Sequence, residues 1–215
     1  MENDLGDYRQ SYEKGALLEA SISNNPMELF QKWFHEVDTH FQNGETNAMT
    51  ISTLGLDGYP KNRVVLLKKY THEGFIFYTN YESEKGKAIA ENPNVCLSFH
   101  WVTAERQVII KGSAQKIAKN LSDGYFESRP KGSQLGALAS KQSTVIANRA
   151  VLEDKLKALE LEYDTKTITC PEFWGGFIVK PIEIEFWQGR ANRLHDRIRY
   201  QLQADFSWKM ERLSS

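Results

Sequence analysis

The most constraining feature of this sequence is a run of short apolar segments separated by tight turns. AMTISTLGL begins at residue 48, NRVVLLKKY follows a turn at Asp57-Gly58, and FIFYTN follows a turn around His72 to Gly74. β-Branched and aromatic residues bounded by turn residues are typical of strands. Because connections this short join antiparallel neighbours, the sequence predicts three successive antiparallel strands, with NRVVLLKKY as one continuous strand.

The same strand signals return further along the chain. VCLSFHW at 95–101 and QVIIKGSAQKI at 107–117 have the composition of strands. The C-terminal part repeats this character in FWGGFIVKPIEIEFWQG at 173–189, around IRYQL at 198–202 and in FSWKMERL at 206–213. Together these segments predict a sheet of many short strands. The sequence contains no internal repeat.

Helix signals occupy four separate segments. The first begins with Asn25, a suitable N-cap before a first-turn proline, and keeps apolar residues at helical spacing until Gly44. A short second helix is predicted to begin at Ser83 and to end before Pro93. The others are predicted from about Asn120 to Ser128 and from Thr144 to Tyr163, with an apolar stripe of Val145, Leu152, Leu156 and Leu159. Helices set apart from strands predict an α+β fold, an antiparallel barrel with helical additions.

Composition sets the size and the environment of the protein. At 215 residues, with 40% apolar and 12% aromatic content, the chain can bury the core of one domain. The 27 Lys and Arg residues balance 28 Asp and Glu, so an anion site must be a local cluster rather than an overall field. Cys96 and Cys170 show neither disulfide nor metal spacing. No signal peptide is present, and no apolar run approaches the ~20 residues of a membrane span, so we expect a cytoplasmic protein. Because no metal-ligand spacing is present either, we expect no metal site.

The segment RLHDR at 193–197 concentrates basic groups. Drawn as an extended strand, it places Arg193, His195 and Arg197 on one side, because strand side chains alternate. The neighbouring FWQG offers a flat apolar ring beside glycine, which suits an aromatic ligand. The alternative is an exposed strand face in which Asp196 pairs with a neighbour and the histidine is a surface residue.

Two other basic segments offer phosphate-binding chemistry. In RVVLLKK, Arg63 and Lys68 bracket four apolar residues, which also describes a buried strand with charged ends. In YFESRPKGSQLG, Tyr125, Arg129 and Ser133 are spaced four apart, although the proline at 130 should interrupt a helix between them. Guanidinium and hydroxyl donors suit the acceptor oxygens of a phosphate. The alternative here is a solvated arginine at a helix end.

Taken together and in order, these segments are specific to one family. They are RVVLLK, FYTN followed by SEKGKAI, ERQV, YFESRPKGSQLGA, SKQS, FWGGF, EFWQG and RLHDR. The set resembles the pyridoxamine 5'-phosphate oxidase family over nearly the whole chain, from about Tyr8 to the C-terminus. No single segment would suffice for this resemblance.

The resemblance implies a fold, an assembly and a reaction. The fold is an antiparallel FMN-binding split β-barrel with peripheral helices over residues 21–215, preceded by a mobile N-terminal segment over residues 1–20. The assembly is a homodimer with FMN at the subunit interface. The reaction is oxidation of pyridoxamine or pyridoxine 5'-phosphate to pyridoxal 5'-phosphate, by hydride transfer from C4' to FMN, with O2 reduced to H2O2. No nucleic acid or membrane partner is expected.

The resemblance also implies the site residues, which are carried over one motif at a time. The residues expected to contact FMN are Arg63, Val64, Val65, Leu66, Leu67, Lys68, Tyr78, Thr79, Lys85, Gln107, Gln142, Ser143, Trp187 and Arg197. Those expected to bind substrate are Arg9, Tyr12, Lys68, Tyr125, Arg129, Ser133, Arg193, Leu194 and His195. Of the second set, Arg193 and His195 are expected to be catalytic, at the substrate ring, and Lys68, Tyr125, Arg129 and Ser133 to hold the phosphate.

One departure and two alternative functions bear on this reading. Glu84 stands between Ser83 and Lys85 where the family usually has a basic residue, so FMN affinity is expected to be lower unless Glu84 turns to solvent. A relative on the same fold could bind FMN or pyridoxal phosphate as a carrier or sensor without turnover. A barrel with exposed aromatic residues could also bind single-stranded nucleic acid, which the balanced charge disfavours.

Overall fold

The structure, a computed structural model, describes residues 4–8, 10–41 and 44–215. Its α-helices are α1 (Pro26–His40), α2 (Glu84–Glu91), α3 (Lys119–Glu127), α4 (Lys131–Ala139) and α5 (Ala150–Glu162). Its strands are β1 (Ala48–Leu54), β2 (Pro60–Leu66), β3 (Lys69–Thr71), β4 (Gly74–Asn80), β5 (Asn94–Trp101), β6 (Arg106–Lys116), β7 (Trp174–Gln188), β8 (Asp196–Leu202) and β9 (Trp208–Leu213). The α+β prediction is confirmed.

The strands of the described residues form one nine-stranded sheet. Its order is β2-β1-β5-β6-β7-β4-β3, with β8 paired to β7 and to β9. Strand β4 is antiparallel to β3 and β7, and β8 is antiparallel to β7 and β9. In the pairing of β4 with β7, Tyr78 lies opposite Gly176 and Asn80 opposite Trp174. This register brings the end of β4 beside the start of β7.

The chain groups into two compact units. Unit 1 comprises Met1–Met49, Leu97–Lys111 and Pro181–Ser215, and unit 2 comprises Thr50–Cys96 and Gly112–Lys180. The division into a mobile segment over residues 1–20 and one domain over residues 21–215 stays a prediction.

Helix α1 of unit 1 begins as the sequence predicts. The Asn25 side chain accepts the Met27 N–H at 2.9 Å, and Pro26 occupies the first turn. The helix ends at His40 rather than continuing to Gly44, because the backbone becomes extended at residue 41.

The buried face of α1 is aromatic. Phe30 and Trp33 are almost completely buried. The ring centroid of Phe30 lies 5.2 Å from that of Phe99, and that of Trp33 lies 5.2 Å from that of Phe186. Both contacts are edge-to-face, the arrangement that the ring quadrupoles favour. The core of unit 1 is therefore built from helix and strand aromatics that the periodicity of the sequence identifies.

Unit 2 has a cluster that joins its helices to the start of β7. Phe126 of α3, Leu135 of α4 and Trp174 of β7 are buried together with Ile168. Leu156 and Leu159 of α5, and other partly buried apolar residues, pack against this cluster. The cluster fixes where α3 and α4 meet, and this junction lines the site described below.

The helical predictions of unit 2 are partly wrong. Helix α4 is missing from the prediction, because Pro130 and the glycines after it resemble helix breakers. Helix α5 begins at Ala150 instead of Thr144, and Val145 is fully exposed rather than part of the apolar stripe. The Thr144 N–H and hydroxyl both donate to the Lys141 carbonyl, at 3.1 Å and 2.7 Å. This local turn competes with helix formation.

The prediction of one strand over NRVVLLKKY is also wrong. Strand β2 ends at Leu66 and β3 begins at Lys69. Between them Leu67 is buried, and the Lys68 N–H donates to the carbonyl of Ile76 at 2.8 Å. The interruption means that strand alternation no longer relates the side chains of Arg63 and Lys68.

Candidate functional site

Unit 2 contains a cavity of about 660 Å³ lined by residues of β2, β4, α3 and α4. Of the sequence-predicted site residues, it is lined by Val64, Val65, Leu66, Lys68, Tyr78, Thr79, Lys85, Tyr125, Arg129, Ser133 and Gln142. Three of these are cations, and none of the described lining residues is an aspartate or glutamate. In a chain with a net charge of −1, this local excess of positive charge favours an anionic ligand.

Some lining residues were not predicted from the sequence. They are Asn80, Pro130, Gly136, Ala137, Ser140 and Trp174. Several of them belong to α4 or flank it, and a helix that is not predicted offers no face to assign. The sequence does contain a signal for Trp174, which stands beside two glycines in FWGGF, and for Asn80, which closes FYTN.

Arg129, between α3 and α4, carries an unsatisfied donor. Its guanidinium carbon lies 4.8 Å from the ring centroid of Trp174 and 5.7 Å from that of Phe126. Burial lowers the pKa of Arg129, although a guanidinium stays charged at neutral pH. Its Nη1 atom is buried with no hydrogen-bond partner in the described structure. Because buried donors are rarely left unpaired, an anion with acceptor oxygens fits this place.

Lys85, in the first turn of α2, is a buried cation. Only 5% of its surface is exposed. Its Nζ donates to Ser83 Oγ at 3.3 Å and to Gln142 Oε1 at 3.2 Å, both of which are neutral. Burial, and after it the charge of Arg63, lowers the pKa of Lys85 to about 8. A bound anion would stabilise the charged ammonium.

Glu84, the first residue of α2, pairs with two cations of β2. Its carboxylate contacts Lys61 Nζ and, at 3.4 Å, Arg63 Nη2. The hydrogen bond from Lys61 holds the pKa of Glu84 below its ordinary value. Glu84 therefore does not simply face solvent, and Arg63 already has a counter-ion. The Nε atom of Arg63 is nevertheless buried without a partner in the described structure.

Aromatic rings give the cavity flat apolar surface. Tyr78 and Tyr125 stack with centroids 3.9 Å apart, and Tyr78 and Trp174 lie nearly parallel at 5.5 Å. A Cβ atom on Gly176 would come within 3.0 Å of the Tyr78 ring, so the glycine permits this close packing. Such surfaces suit a planar heteroaromatic ligand.

In unit 1, the prediction that RLHDR is an extended strand is wrong over its first residues. Ala191–Arg193 forms a 3-10 turn, and β8 begins only at Asp196. The last two residues of the turn, 192 and 193, have φ values of 56° and 61°, which lie outside the β region. Arg193, His195 and Arg197 therefore do not share a strand face.

His195 lies in a cluster of rings in unit 1. Its centroid lies 5.7 Å from that of Tyr12 and 4.7 Å from that of Trp187. Its Nδ1 accepts the Arg190 N–H at 3.1 Å. The neutral imidazole therefore carries its proton on Nε2. The structure thus brings together three of the predicted site residues within unit 1.

Other predicted residues have different surroundings. Arg197 donates to the Glu185 carboxylate at 2.8 Å and 3.2 Å, so it already has a charged partner. Asp196 pairs with Arg190 and Arg212, as the alternative interpretation of RLHDR expects. The cavity of unit 2 is not lined by four of the residues expected to contact FMN, which are Arg63, Leu67, Gln107 and Ser143. Arg193 and Leu194 are exposed in unit 1, and Arg9 lies outside the described residues. Their contacts with ligands stay predictions.

The described residues contain neither a membrane-spanning helix nor a metal-binding cluster. No helix in this part of the chain is both long and apolar enough to cross a membrane. No group of three or more His, Cys, Asp or Glu side chains is arranged to hold a metal ion within the same residues.

Comparison with known families gives two matches that together span most of the chain. Residues 35–163 match the family model described as pyridoxamine 5'-phosphate oxidase. Residues 174–215 match the model described as the pyridoxine 5'-phosphate oxidase C-terminal dimerisation region.

Curated relatives are similar over their full length. A pyridoxine/pyridoxamine 5'-phosphate oxidase of Flavobacterium johnsoniae is 65% identical over 99% of this chain and 100% of its own. A protein of the same name from Christiangramia forsetii is 53% identical over 100% of both chains.

Solved structures share the fold. The crystal structure of PhzG from Burkholderia lata, in complex with tetrahydrophenazine-1-carboxylic acid, has a TM-score of 0.86 at 25% identity, over 96% of this chain and 100% of that one. An FMN-binding protein related to pyridoxamine 5'-phosphate oxidase, from Nostoc punctiforme, has a TM-score of 0.69 at 12% identity, over 94% and 100%. These likenesses confirm the split-barrel prediction, and with the sequence matches they show that the chain belongs to the pyridoxamine 5'-phosphate oxidase family.

Proposed function

We propose that the protein is an FMN-dependent oxidase that forms pyridoxal 5'-phosphate from pyridoxamine 5'-phosphate and from pyridoxine 5'-phosphate. With the amine substrate, one O2 and one water are consumed, and one NH3 and one H2O2 are released. The names of relatives with 53% to 65% identity support this activity. The match to a dimerisation region supports a homodimer, for which we propose FMN at the subunit interface. A cytoplasmic location stays a prediction.

The observation that carries the proposal is the acid-free cationic cavity of unit 2. Lys68, Lys85 and Arg129 line it without an aspartate or glutamate among the described lining residues. A phosphate monoester carries about −1.5 to −2 charges near neutral pH. FMN and the substrate each bring one such group and one planar ring system, which matches the cations and the stacked aromatic rings.

Orphaned donors indicate how the two phosphates could be divided. The unpaired Nη1 of Arg129 lies at the junction of α3 and α4, and we assign the substrate phosphate to this end, with Lys68, Tyr125 and Ser133. The buried Lys85 and the unpaired Nε of Arg63 stand at the start of α2 and on β2. We assign the FMN phosphate to this second group, with Gln142 beside Lys85.

The chain's own part in the reaction is to bind and orient the substrate and to stabilise developing charge. When bound, FMN supplies the acceptor for the hydride that leaves C4' and passes the electrons to O2. Arg193 would position the reacting carbon and stabilise developing charge. His195 would orient the substrate through the proton that its Nε2 carries, because its Nδ1 is engaged by the Arg190 N–H. Positioning of this kind accounts for a large share of enzymatic rate enhancement.

The proposed function is tested by product stoichiometry. Purified protein is supplied with FMN and pyridoxamine 5'-phosphate in air, and O2 consumption, H2O2 and pyridoxal 5'-phosphate are measured together. The proposal expects equal amounts of all three. Bound FMN without product would instead indicate the non-catalytic binding protein.

The pKa of Lys85 predicts a pH dependence of FMN binding. Because this pKa is about 8 in the free protein, the ammonium loses its proton as the pH rises past that value, and the phosphate then binds a neutral amine. We expect FMN affinity to fall above pH ~8, by at most about tenfold per pH unit for one linked proton. Quenching of FMN fluorescence measures it.

The control for Lys85 is a variant that cannot titrate. Lys85→Met should bind FMN weakly, and its affinity should not vary with pH in this range. If the variant still showed the pH dependence of the wild-type protein, the assignment would be contradicted. The stability of the FMN-free protein should depend on pH in the opposite direction to FMN affinity. The unfolded chain keeps the proton up to the ordinary value of 10.5, so the free protein gains stability as the pH rises from about 8 toward 10.5.

Glu84 is expected to weaken FMN binding. Its carboxylate competes with the phosphate for Arg63, at 3.4 Å from Nη2. Glu84→Gln removes this charge, and we expect the Kd for FMN to fall about threefold, a small effect because the pair is half exposed and screened. Glu91→Gln, at the other end of α2, is the matched control and should leave the Kd unchanged. Weaker binding by Glu84→Gln would show that the pair serves to order Arg63.

A further inference from the structure

One carboxylate in unit 1 holds the backbone of the N-terminal segment. Glu105 Oε2 accepts the N–H groups of Glu13 and Lys14, at 2.8 Å and 2.9 Å. The Lys14 ammonium also donates to the Thr103 carbonyl at 2.7 Å. Hydrogen bonds to an ionised acceptor are stronger than those between neutral groups. The segment is therefore anchored immediately after Tyr12.

The backbone of Glu105 is itself unusual. It has φ 54° and ψ 40°, in the left-handed region, which is disfavoured for a residue with a Cβ atom. Its carbonyl accepts the Gly189 N–H at 2.8 Å and the Gln188 side-chain amide at 3.1 Å. A single residue thus joins the N-terminal segment to the end of β7. Strained residues persist where their surroundings fix them, often at functional sites.

The anchored segment presents one ring. Tyr12 lies edge-on to Trp187 and His195, with centroids 5.7 Å away in both cases. A Cβ atom on Gly189 would come within 2.7 Å of Tyr12 Cγ, so only glycine allows this approach. Tyr12 therefore sits directly beside the histidine proposed to face the substrate.

A second attachment follows along the same segment. The Leu17 N–H donates to Asp196 Oδ2 at 3.0 Å, and the Leu17 carbonyl accepts from Arg212 at 2.7 Å. Leu17 itself is buried. The stretch after Tyr12 is therefore fixed at two places, and Glu105 is the one nearer to the ring.

We propose that Glu105 is a positioning residue, which seats Tyr12 against His195 before the substrate arrives. The inference rests on the proposed function, which puts Tyr12 and His195 at the substrate. Ordering a contact in advance removes the entropy cost of ordering it on binding. Loss of the Glu105 carboxylate should therefore weaken substrate binding through Tyr12, while FMN content stays unchanged.

The anchor is tested first without any activity measurement. Trypsin cleaves after Lys14 only when the segment opens locally, and intact-protein mass identifies this cut. Glu105→Gln keeps an acceptor oxygen but removes the charge, and it should accelerate the cleavage roughly tenfold, as expected when charge-assisted hydrogen bonds become neutral ones. Glu13→Gln is the control, because the Glu13 side chain contacts Ser11 and leaves the backbone bond intact. Equal rates in all three proteins would overturn the anchor.

The positioning role is tested by kinetics in two backgrounds. Glu105→Gln should raise KM for pyridoxamine 5'-phosphate roughly tenfold and change kcat less than about twofold. When Tyr12 is already replaced by alanine, Glu105→Gln should have no further effect on KM. If KM rose equally in the Tyr12→Ala background, Glu105 would act by a route other than Tyr12, which would refute the proposal.

A second variant separates the carboxylate from the strained backbone. Glu105→Gly removes the side chain at a residue whose φ glycine adopts readily, so it should raise KM as Glu105→Gln does, and a wild-type KM would refute the proposal. If the wild-type protein does not oxidise the substrate, the proposed function fails, and the trypsin comparison still decides whether Glu105 anchors the segment.

Discussion

Replacing Arg193 by leucine is expected to lower kcat for pyridoxamine 5'-phosphate about 100- to 1000-fold, the loss typical of removing a group that stabilises developing charge. FMN content should not change, because Arg193 is exposed in unit 1 and does not line the cavity of unit 2. Its left-handed backbone, with φ 61°, remains a cost in the variant, so stability should change little. Single-turnover reduction of the flavin measures the effect directly.

Two controls make the Arg193 prediction specific. Arg193→Lys keeps the charge without the planar donor fork and should recover part of the rate. Arg149→Leu removes another exposed arginine, which pairs only with Glu153 among the described residues, and should behave as wild type. Unchanged turnover by Arg193→Leu with FMN fully bound would remove Arg193 from the mechanism.

Replacing Arg129 by leucine is expected to raise KM for the phosphorylated substrate by roughly 10- to 100-fold, the loss of a charge-assisted contact. The phosphate is held equally in the ground state and the transition state, so kcat should change little. Leucine keeps apolar contact with Trp174, over which the guanidinium lies at 4.8 Å. Steady-state kinetics at saturating FMN measures the effect.

The control for Arg129 is a nearby cation that does not line the cavity of unit 2. Lys131 lies two residues away and donates to the Asp164 carbonyl at 2.9 Å, and Lys131→Leu should leave KM unchanged. An equal rise of KM in both variants would indicate a general loss of positive charge. A rise in the Kd for FMN rather than in KM would assign Arg129 to the cofactor phosphate.

The elements that the sequence predicts correctly are those whose signals are local. Helix α1 has its cap and its apolar spacing within a few residues, and α2 likewise has Ser83 as an N-cap that accepts the Gly86 N–H at 3.2 Å. Helix α4 depends instead on tertiary contacts. The Gln134 side chain donates to the carbonyls of residues 126, 127 and 129, where α3 ends, and Leu135 enters the buried cluster. Neither contact can be inferred from propensity.

The candidate site shows the same division. Motifs such as FYTN and YFESRPKGSQLG contain their lining residues in short spans, and the family resemblance that these motifs carry is what assigned those residues to one site. Arg197 could not be placed in this way. The pairing of β7 with β8 brings it to the carboxylate of Glu185, at 2.8 Å, and that register is a long-range property. Of the two successive positive φ values before His195, only the first falls on a residue type, asparagine, that visits the left-handed region readily, and the second, on Arg193, has no sequence signal.

The central claim is that this chain binds FMN and uses it to oxidise the substrate. The most direct measurement is the absorption spectrum of the protein with FMN, followed by anaerobic addition of pyridoxamine 5'-phosphate. We expect the oxidised-flavin band to bleach, to return when O2 is admitted, and to be accompanied by pyridoxal 5'-phosphate. Bound flavin whose band does not change would contradict the oxidase function and leave a binding protein on this fold. Failure to bind flavin at all would contradict the assignment of the cationic cavity.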